Sequence, residues 1–450
     1  MSSIANLKIS ISGVRGVIGE TLTPKLISSF AASFGQFVGK GSVIVGRDTR
    51  PTGAMVEQAV IAGLLSVGCK PVLAGVVSTP TVQVLVDHYR AVGGIAITAS
   101  HNPMPWNAMK FINGRGMFLD NIEARQVLDI YNQEDYHYVS EATIQEVSTL
   151  EDAFVEHQRR IFKHINVDLI RSKKFKVAMD CGNGAGALYA QKFLEDLGCE
   201  VLTIFDETDG LFRRKPEPIP AHLTELEKVV KANGCVIGFA QDPDADRLVL
   251  VDDSGTALNE NYTLGFTVKH LLKQSPGPVT INLGTSKMIS DLAEEAEQEL
   301  IFTKIGEINV STTMLRRGSD IGGEGNGGVI WPKVRACRDS FTGMALVLEL
   351  LADSAQSSSQ IVESMPKYYG ATRKIALNSD KVIRLLAKLK DKYADENLNT
   401  LDGVRIDWAD KWVIVRASNT EPIVRLQAEA KTEADLEALL EVFVAECESV

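Results

Sequence analysis

The 450-residue sequence lacks the features of membrane-spanning, exported and disulfide-bonded proteins. No run of eighteen or more apolar residues is present, so we expect no membrane-spanning helix. The first ten residues lack the basic start and the apolar stretch of a signal peptide. The cysteines show no CxxC or Cys/His spacing, which is typical of reduced thiols and not of a disulfide framework or a zinc site. They are Cys69, Cys181, Cys199, Cys235, Cys337 and Cys447. These absences predict a cytoplasmic protein that binds no membrane.

Basic residues are fewer than acidic residues, since the sequence has 47 Lys and Arg and 58 Asp and Glu. The formal net charge of −11 argues against a nucleic-acid partner, which needs a basic surface. It leaves an anionic small ligand open, because a cleft can concentrate positive potential against the overall sign. A hydrophobic content of 45% and a charged content of 23% are ordinary for a globular protein.

The length suggests three or four domains, and strand and helix patterns alternate along most of the chain. A helix predicted from Pro24 precedes a short apolar strand at Val43–Val45, and a second predicted helix at about 53–67 separates that strand from later ones such as Ile95–Ile97, an order that implies a mostly parallel sheet. The pattern restarts near Lys176 and near Val279. We therefore expect an α/β fold: three consecutive α/β domains with mixed, mainly parallel sheets, and a smaller C-terminal α+β domain, around a central cleft. The expected domains are 1–150, 151–255, 256–368 and 369–450.

Two further local expectations concern glycine and serine. A glycine-rich turn at Gly182–Gly186 precedes a predicted helix at Ala187–Leu197. The run ADSAQSSSQ at 352–360 is typical of a linker.

The first polar motif is Thr98–Pro103, which directly follows the predicted strand Ile95–Ile97. Ligands of open α/β sheets bind at the carboxyl ends of the strands, so Ser100 lies where chemistry is expected. A polar turn ended by Pro103 is the structural alternative. Serine-hydrolase chemistry is disfavoured because the chain has no G-x-S-x-G sequence. A P-loop is also missing, since GQFVGK at 35–40 has the wrong spacing.

The second motif places three carboxylates at alternate positions, Asp242, Asp244 and Asp246. Such carboxylates can converge on one hard cation, which prefers oxygen ligands. A calcium-binding EF-hand loop is excluded, because its sixth position is Arg247 instead of glycine and its twelfth is Asp253 instead of glutamate. A solvated acidic turn, the structural alternative, would crowd three like charges without a purpose. A metal site is favoured.

The third motif is the glycine-rich stretch Gly322–Gly328, which we expect to be a loop instead of a helix or strand. It matches G-x-G-x-x-G formally, but the apolar residues from Val329 and then Pro332 follow it in place of a helix, so dinucleotide binding is disfavoured. The single Glu324 among the glycines indicates a carboxylate that accepts hydrogen bonds from ligand hydroxyls. A bare glycine turn remains the alternative.

The fourth motif, RASNTEP at 416–422, follows a predicted strand and has Arg425 beyond it. A guanidinium, two hydroxyls and turn N–H groups can together bind an anion. A polar hairpin without a ligand is the alternative.

The four motifs, in this order and one per domain, resemble those of the α-D-phosphohexomutase family. They are TASHNP at 98–103, DPDADR at 242–247, GEGNG at 323–327 and RASNTEP at 416–422. The resemblance covers the whole chain, since SGVRG at 12–16 and RKPEP at 214–218 are similar to two further loops of the family. It implies a monomeric or homodimeric enzyme that moves a phosphoryl group between two hydroxyls of a phosphorylated hexose.

The resemblance also assigns residues. It implies that Ser100 becomes a phosphoserine, that a hexose bisphosphate is the intermediate and activator, and that Mg²⁺ is held by Ser100, Asp242, Asp244 and Asp246. Arg247 opposes the phosphoserine charge together with the cation. Lys110 stands at the position of the family's general acid/base, with Arg15 and His101 near it. The implied substrate-binding residues are Glu324, Asn326, Arg416, Ser418, Asn419, Thr420 and Arg425.

The sequence departs from the family at three places. Trp106-Asn107-Ala108 replaces a common Tyr-Asn-Gly, Gly328 stands where many members have a histidine, and so does Glu307. These changes leave open both the sugar and the partner of Lys110 in proton transfer. The stretches 258–263 and 322–330 most resemble phosphoglucosamine mutases, which favours glucosamine phosphate over glucose or mannose phosphate.

Two other functions compete. The turn GNGAGA at 182–187 and Asp206 fit the pattern of a nicotinamide-dinucleotide oxidoreductase, although this function leaves Ser100 and the aspartates without a role. The second is a non-catalytic sugar-phosphate sensor on the same scaffold. The presence of Ser100 and Lys110 argues against it, because binding alone does not need a nucleophile.

Overall fold

Four β-sheets, one in each domain, form the framework of the protein. The computed structural model describes residues 7–10, 13–418 and 423–450. The first three sheets combine parallel and antiparallel pairs, whereas the fourth is antiparallel throughout. The expected fold class, three α/β domains followed by a smaller α+β domain, is confirmed. Within the described ranges, no helix combines the length and the apolar character needed to cross a bilayer.

The first domain contains a seven-stranded sheet and four helices. The strands are β1 (Lys8–Ser10), β2 (Gly13–Val17), β3 (Ser42–Arg47), β4 (Lys70–Val76), β5 (Gly93–Ile97), β6 (Trp106–Asn113) and β7 (Ser148–Thr149), in the order β1-β2-β6-β5-β3-β4-β7. The helices are α1 (Pro24–Val38), α2 (Gly53–Ser66), α3 (Thr79–His88) and α4 (Asn121–Gln133). Helix α1 begins as predicted, because the Thr23 hydroxyl caps it and Pro24 occupies its first turn. Strands β3 and β5 are parallel neighbours, with Arg47 paired to Ile97, so the loops that follow them emerge together.

The second domain contains a four-stranded sheet. Its strands are β8 (Lys176–Asp180), β9 (Glu200–Ile204), β10 (Ile237–Gln241) and β11 (Leu248–Asp252), in the order β11-β10-β8-β9. Its helices are α5 (Val155–Phe162), α6 (Val167–Lys173), α7 (Ala190–Asp196) and α8 (Thr224–Asn233). The continuous helix predicted at Ala187–Leu197 is wrong, since a short 3₁₀ helix at Ala185–Leu188 is broken from α7 at Tyr189. Tertiary contacts explain the break: the Tyr189 ring stacks on Phe154 and its hydroxyl donates to the Val76 carbonyl in the first domain.

The third domain contains a five-stranded sheet. Its strands are β12 (Val279–Asn282), β13 (Leu300–Thr303), β14 (Ile321–Glu324), β15 (Gly328–Trp331) and β16 (Arg335–Arg338), in the order β13-β12-β14-β15-β16. Its helices are α9 (Asn261–Gln274), α10 (Lys287–Glu295), α11 (Glu307–Arg317), α12 (Ser340–Asp353) and α13 (Ser358–Glu363).

Two sequence predictions for this domain are wrong. Of the predicted loop Gly322–Gly328, the residues Gly322–Glu324 belong to β14 and Gly328 belongs to β15. Glycine is needed in β14, because a Cβ on Gly322 would lie 2.0 Å from the Thr280 carbonyl oxygen of the neighbouring strand. The stretch 352–360 is not a linker. It contains the end of α12 and the start of α13, and the Ser358 hydroxyl donates to the Val236 carbonyl and to Asp253 in the second domain.

The fourth domain packs two helices on an antiparallel sheet. The strands are β17 (Tyr369–Ala376), β18 (Asn397–Asn399), β19 (Val404–Asp407), β20 (Lys411–Ala417) and β21 (Ile423–Ala430), in the order β17-β21-β20-β19-β18, and the helices are α14 (Ser379–Lys392) and α15 (Glu433–Glu448). The buried Arg405 fastens this domain to the third. Its guanidinium lies 4.1 Å from the Trp412 ring centre and donates to the Leu283 carbonyl at 2.5 Å.

A hydrophobic core shared by the second and third domains supports the candidate site. Phe341, on α12, packs against Phe154 and Phe193, with ring centres 4.6 and 5.3 Å apart. Burial of each such ring contributes about 1.5–3 kcal/mol. The neighbouring Ser340 hydroxyl donates to the Ala245 carbonyl at 2.6 Å. Through the start of α12, the core therefore fixes the turn that contains Asp242, Asp244 and Asp246, which we call the acidic turn.

Candidate active site

Ser100 lies in the loop that joins β5 to β6, at the carboxyl end of β5. It adopts a left-handed backbone conformation with φ of 48°, which is uncommon for a residue other than glycine. The loop hydrogen bonds that hold this conformation begin with the Ser100 N–H, which donates to the Thr98 hydroxyl at 2.9 Å. Thr98 in turn donates to Asp48 at 2.6 Å. Ser100 is itself buried, and these hydrogen bonds hold its backbone in place.

Arg50, which no sequence motif indicated, is the main support of this loop. Its fully buried guanidinium uses all five N–H donors. Four of them bind main-chain carbonyls at 2.7–3.0 Å, those of Ser100, Asn102, Pro103 and Trp106. The fifth binds Asp48 at 3.1 Å. One side chain from the end of β3 therefore shapes the whole segment around Ser100.

The three carboxylates lie in the turn between β10 and β11. Asp242 closes the turn, since its Oδ1 accepts from the N–H groups of Asp246 and Arg247, both at 3.2 Å. One oxygen from each of Asp242, Asp244 and Asp246 lies within 4.8 Å of the others. All three side chains are buried. The predicted convergence of the carboxylates is therefore present.

Ser100 and the acidic turn meet directly across two domains. The Ser100 hydroxyl donates to Asp242 Oδ2 at 2.7 Å. Asp244 Oδ1 and Asp246 Oδ1 are buried and have no hydrogen-bond partner among the described residues. Buried carboxylate oxygens without partners are costly unless a cation binds them. The donor set, all oxygen and next to a serine hydroxyl, fits a hard divalent cation such as Mg²⁺.

Burial and nearby charges shift the pKa values of Asp242 and Asp244 in opposite directions. Burial and the neighbouring Asp244 and Asp246 raise the pKa of Asp242 well above its usual range. Burial would also raise the pKa of Asp244, but the charge of Lys110 and hydrogen bonds from Lys110 and Thr79 lower it below the usual range. Thr79, at the start of α3, donates to Asp244 at 2.5 Å and was not anticipated from the sequence.

The four other predicted catalytic residues surround Ser100. Lys110 Nζ, from β6, lies 2.5 Å from Asp244 Oδ2 and 3.4 Å from Asp246 Oδ2. Burial opposes its charge, yet the two aspartates raise the pKa of Lys110 overall. Arg15, on β2, donates to the Asn102 side chain at 2.6 Å.

His101 and Arg247 complete this group. His101 Nδ1 lies 3.3 Å from the Ser100 hydroxyl. Burial, with the positive charges of Arg247 and Arg15, lowers the pKa of His101 to about 2, so the imidazole is neutral. Arg247 follows the acidic turn and its guanidinium lies 3.5 Å from Glu217. The structure therefore brings Ser100, the three aspartates and all four of these side chains together.

Glu324 lies at the end of β14, on the other side of the acidic turn. Its Oε1 accepts from the Asn282 amide at 2.7 Å and from the Gly306 N–H at 2.9 Å. Its Oε2 pairs with Arg338 at 3.0 Å. Arg338, which no sequence motif indicated, also pairs with Asp246 and with Glu307. Burial raises the pKa of Glu307 to about 7, and Arg338 opposes that rise.

An open cleft of ≈ 420 Å³ lies between the third and fourth domains. Glu324, Asn326, Arg416 and Arg425 line it, so the structure brings these four predicted substrate-binding residues together. Two of them have unused polar atoms: Asn326 Oδ1 and Arg425 Nε have no partner among the described residues. Arg416 makes a 3.3 Å contact with Asp402. A half-buried arginine with an unpaired donor, such as Arg425, suits an anionic ligand.

The remaining predicted substrate-binding residues follow β20. Ser418 extends the strand pairing, with its N–H donating to the Ile423 carbonyl at 3.0 Å. Asn419 and Thr420 lie outside the described residues.

The glycine-rich turn at 182–187 is not shaped for a dinucleotide. It packs against the acidic turn, with the Ala185 N–H donating to the Pro243 carbonyl at 2.7 Å. A Cβ on Gly184 would lie 2.5 Å from the Pro243 Cα, which leaves no space for a pyrophosphate beside the turn. The Asn183 carbonyl also accepts from Thr49 in the first domain. These glycines allow close packing between domains, and the oxidoreductase interpretation loses its main support.

Comparison with known proteins gives a consistent result over the whole chain. The sequence matches the phosphoglucomutase/phosphomannomutase α/β/α domains I, II and III at residues 7–138, 152–255 and 259–369, and the C-terminal domain of the same family at 360–446. A phosphoglucomutase/phosphomannomutase of Thermococcus kodakarensis is 35% identical over 96% of each chain. A phosphoglucosamine/phosphogalactosamine mutase of Sulfurisphaera tokodaii is 32% identical over 94% of each chain. The crystal structure of a phosphoglucomutase/phosphomannomutase family protein from Burkholderia thailandensis superimposes with a TM-score of 0.86 at 26% identity, covering 100% of this chain and 98% of that one.

Proposed function

Since this chain belongs to the phosphoglucomutase/phosphomannomutase family, we propose that it interconverts hexose 6-phosphate and hexose 1-phosphate through a phosphorylated Ser100. Membership makes it a mutase, an isomerase that acts on phosphorylated sugars. The observation that carries the proposed mechanism is the 2.7 Å hydrogen bond between the Ser100 hydroxyl and Asp242, beside two carboxylates with unpartnered oxygens.

In the first half-reaction, the phosphoryl group on Ser100 is transferred to a free hydroxyl of the sugar phosphate. The bond from phosphorus to Ser100 Oγ breaks, and a bond to the sugar oxygen forms. The product is a hexose bisphosphate, which changes its orientation in the site and returns its other phosphoryl group to Ser100. Proximity supplies much of the rate, because the loop around Ser100 is held by the five donors of Arg50.

The acidic turn supplies the charge balance of this transfer. Asp242, Asp244 and Asp246 would hold Mg²⁺ together with an oxygen of the Ser100 phosphate. When bound, the cation neutralises negative charge that builds up on the phosphoryl oxygens. Arg247 and Arg15 add positive charge on the protein side.

Lys110 is the proposed carrier of the proton. Its ammonium lies 2.5 Å from Asp244, within reach of groups held at the acidic turn. The Lys110 ammonium donates a proton to Ser100 Oγ as the bond from phosphorus to that oxygen breaks, and the neutral amine that results accepts the proton of the attacking sugar hydroxyl, so Nζ ends as an ammonium again. His101, neutral at ordinary pH, lies 3.3 Å from Ser100 Oγ and can orient it.

The cleft between the third and fourth domains holds the part of the substrate that does not react. Glu324 and Asn326 bind sugar hydroxyls, and Arg416, Ser418 and Arg425, with Asn419 and Thr420, bind the distal phosphate. Since this grip recognises a phosphate and not its position on the ring, one site can accept the 1-phosphate and the 6-phosphate in opposite orientations.

Glucosamine phosphate is the proposed sugar, with glucose and mannose phosphates as alternatives. Three carboxylates line the cleft, those of Glu260, Glu324 and Glu429. Negative charge there suits a substrate that carries an ammonium group at C2. The name of the Sulfurisphaera tokodaii relative also includes phosphoglucosamine, whereas that of the Thermococcus kodakarensis relative includes glucose and mannose.

The experiment that tests this function is a parallel assay of the 1- and 6-phosphates of glucosamine, glucose and mannose. Each reaction contains Mg²⁺ and a catalytic amount of a hexose 1,6-bisphosphate. We expect interconversion with the highest kcat/KM for glucosamine phosphate, and none in Ser100→Ala. A higher kcat/KM for glucose or mannose phosphate would reassign the sugar, and no interconversion of any pair would refute the function.

A further inference from the structure

Arg338 is the point at which the acidic turn and the sugar-binding loop meet. It ends β16, and its guanidinium is nearly buried, with 11% of the side chain exposed. Its three nitrogens go to three different carboxylates: Nη2 lies 2.6 Å from Asp246, Nη1 lies 3.0 Å from Glu324, and Nε lies 3.1 Å from Glu307. One planar group therefore fixes three acids at once.

The other cations at the acidic turn do not make this connection. Lys110 pairs with Asp244 and Asp246, and Arg247 pairs with Asp246 and Glu217. Neither forms an ion pair with Glu324 in the described part of the chain. Arg338 is thus the side chain that joins a proposed cation ligand to the proposed sugar ligand.

The backbone is shaped to admit this guanidinium. A Cβ on Gly328 would lie 2.3 Å from Arg338 Cδ and 2.9 Å from its Cγ, so the Arg338 stem fills the space that a side chain at 328 would take. The loop before Gly328 is tied to the acidic turn as well, since the Leu248 N–H donates to the Gly327 carbonyl at 3.0 Å. The two loops are held in register by one main-chain bond and one arginine.

We propose that Arg338 is a positioning residue that sets the orientation of Asp246 for the divalent cation and of Glu324 for the sugar. A substitution of Glu324 therefore changes the affinity of the cation site. This role rests on the proposed function for its meaning in catalysis. The binding of a metal alone tests it without any assay of turnover.

The main test measures the affinity of the full-length protein for Mn²⁺ by titration, without substrate. Arg338→Lys keeps the positive charge but cannot reach three carboxylates with one ammonium. We expect its Mn²⁺ dissociation constant to rise at least about fivefold, in line with the loss seen when groups that orient metal ligands are removed. The KM for hexose phosphate should rise by a similar factor, while thermal stability stays near that of the unaltered protein.

The matched control is Arg335→Lys. Arg335 lies on the same strand and pairs with Asp87 at 3.0 Å, away from the acidic turn. Its Mn²⁺ affinity and KM should not change. If Arg338→Lys binds Mn²⁺ as tightly as Arg335→Lys does, the positioning role is refuted.

A second variant, Glu324→Gln, tests the proposal by itself if Arg338→Lys folds poorly, and it completes a double-mutant cycle if Arg338→Lys folds. Glu324→Gln releases Arg338 to pair more closely with Asp246, so it should weaken Mn²⁺ binding several-fold although Glu324 belongs to the sugar loop. The same change in the Arg338→Lys background should have no effect. Unchanged Mn²⁺ affinity in Glu324→Gln alone would overturn the proposal. An inactive unaltered protein that still shows this coupling would refute the mutase function and leave the positioning role intact.

Discussion

The two ends of the candidate site are built in opposite ways. In the loop that carries Ser100, all five N–H donors of Arg50 are used, four on main-chain carbonyls of the loop and one on Asp48. In the cleft at the fourth domain, Arg425 Nε and Asn326 Oδ1 have no partner in the described ranges. The Arg416 guanidinium makes a long hydrogen bond, of 3.3 Å, to Asp402. The loop that carries Ser100 is pre-organised, whereas the distal end keeps a donor, Arg425 Nε, and an acceptor, Asn326 Oδ1, for a ligand.

This difference fits the demands of a mutase. Phosphoryl transfer needs fixed geometry at the atom that reacts. The distal phosphate changes its position on the ring between the two half-reactions, so its binding groups must accept more than one pose. We therefore expect changes near Ser100 to lower kcat and changes near Arg425 to raise KM.

The largest effect should come from Asp244→Asn. Losing one carboxylate of the acidic turn should lower kcat about 10³-fold, because charge on the transferring group is no longer neutralised. Circular dichroism should show an intact fold. Asp252→Asn is the control, since Asp252 closes a turn outside the site and an amide oxygen can replace its carboxylate there. Wild-type kcat in Asp244→Asn would remove the metal assignment.

The next effect tests the rigid end of the site. Arg50→Lys leaves carbonyls around Ser100 unpaired, so we expect kcat to fall about 10²-fold and stability to drop by about 3–5 kcal/mol. Kinetics and urea unfolding measure the two quantities. Arg405→Lys, a buried arginine at the fourth domain, should lose comparable stability with little change in kcat. Equal losses of kcat in both variants would contradict the claim that rigid support matters for kcat at Ser100 and not at the fourth domain.

The open end is tested by Arg425→Met. Losing a charged hydrogen-bond donor to the distal phosphate should raise KM about 10- to 100-fold. The phosphorylated fraction of Ser100, measured by intact mass, should stay unchanged. Arg373→Met on the neighbouring strand is the control. The Arg373 guanidinium is exposed, and its contact with Glu437 is long, at 3.5 Å. A KM equal to that of the control would mean that Arg425 does not contact the substrate.

The smallest effect concerns Glu307, which lies between the two regions. Its pKa in the folded protein is about 7, above the usual value near 4.5, because of burial. The folded state therefore retains a proton that the unfolded state loses, and the protein should lose stability as pH rises from about 4.5 to 7. Glu307→Gln removes this dependence. Its unfolding free energy relative to wild type should increase by on the order of 1–3 kcal/mol between pH 5 and pH 8.

The neighbouring Gln83 makes this variant tolerable. Its Nε2 donates to Glu307 at 3.1 Å, while its Oε1 is buried without a partner in the part of the chain that the structure describes. An amide flip would let that oxygen accept from a glutamine at 307. A stability difference that is the same at pH 5 and pH 8 would contradict the raised pKa of Glu307.

The sequence located the site better than it located the supports of the site. Thr98–Pro103, the three aspartates and Glu324 belong to compact motifs. The first two motifs follow strands that the hydrophobic pattern predicts, whereas Glu324 ends a strand, β14, in a stretch that was predicted to be a loop. Arg50 and Arg338 are single residues whose partners lie elsewhere, with Arg50 holding carbonyls more than 50 positions away. No local pattern encodes such contacts, because they depend on which loops the sheets bring together.

The errors in secondary structure have the same origin. The predicted helix is broken at Tyr189, because that side chain packs against another domain. Gly322 lies in a strand whose neighbouring strand, at Thr280, approaches too closely for a side chain. In both cases tertiary packing overrides local preference. The proposed domain limits stay predictions, and so do the residue roles, which the experiments above address.

Mapping the phosphoryl group on the protein tests the central claim most directly. The protein is incubated with a hexose 1,6-bisphosphate and Mg²⁺, digested, and its phosphate located by peptide mass spectrometry before and after a chase with hexose 6-phosphate. The account predicts one phosphorylated residue, Ser100, which loses its phosphate in the chase as bisphosphate appears. A phosphate on another residue, or a Ser100 phosphate that the chase does not remove, would contradict it.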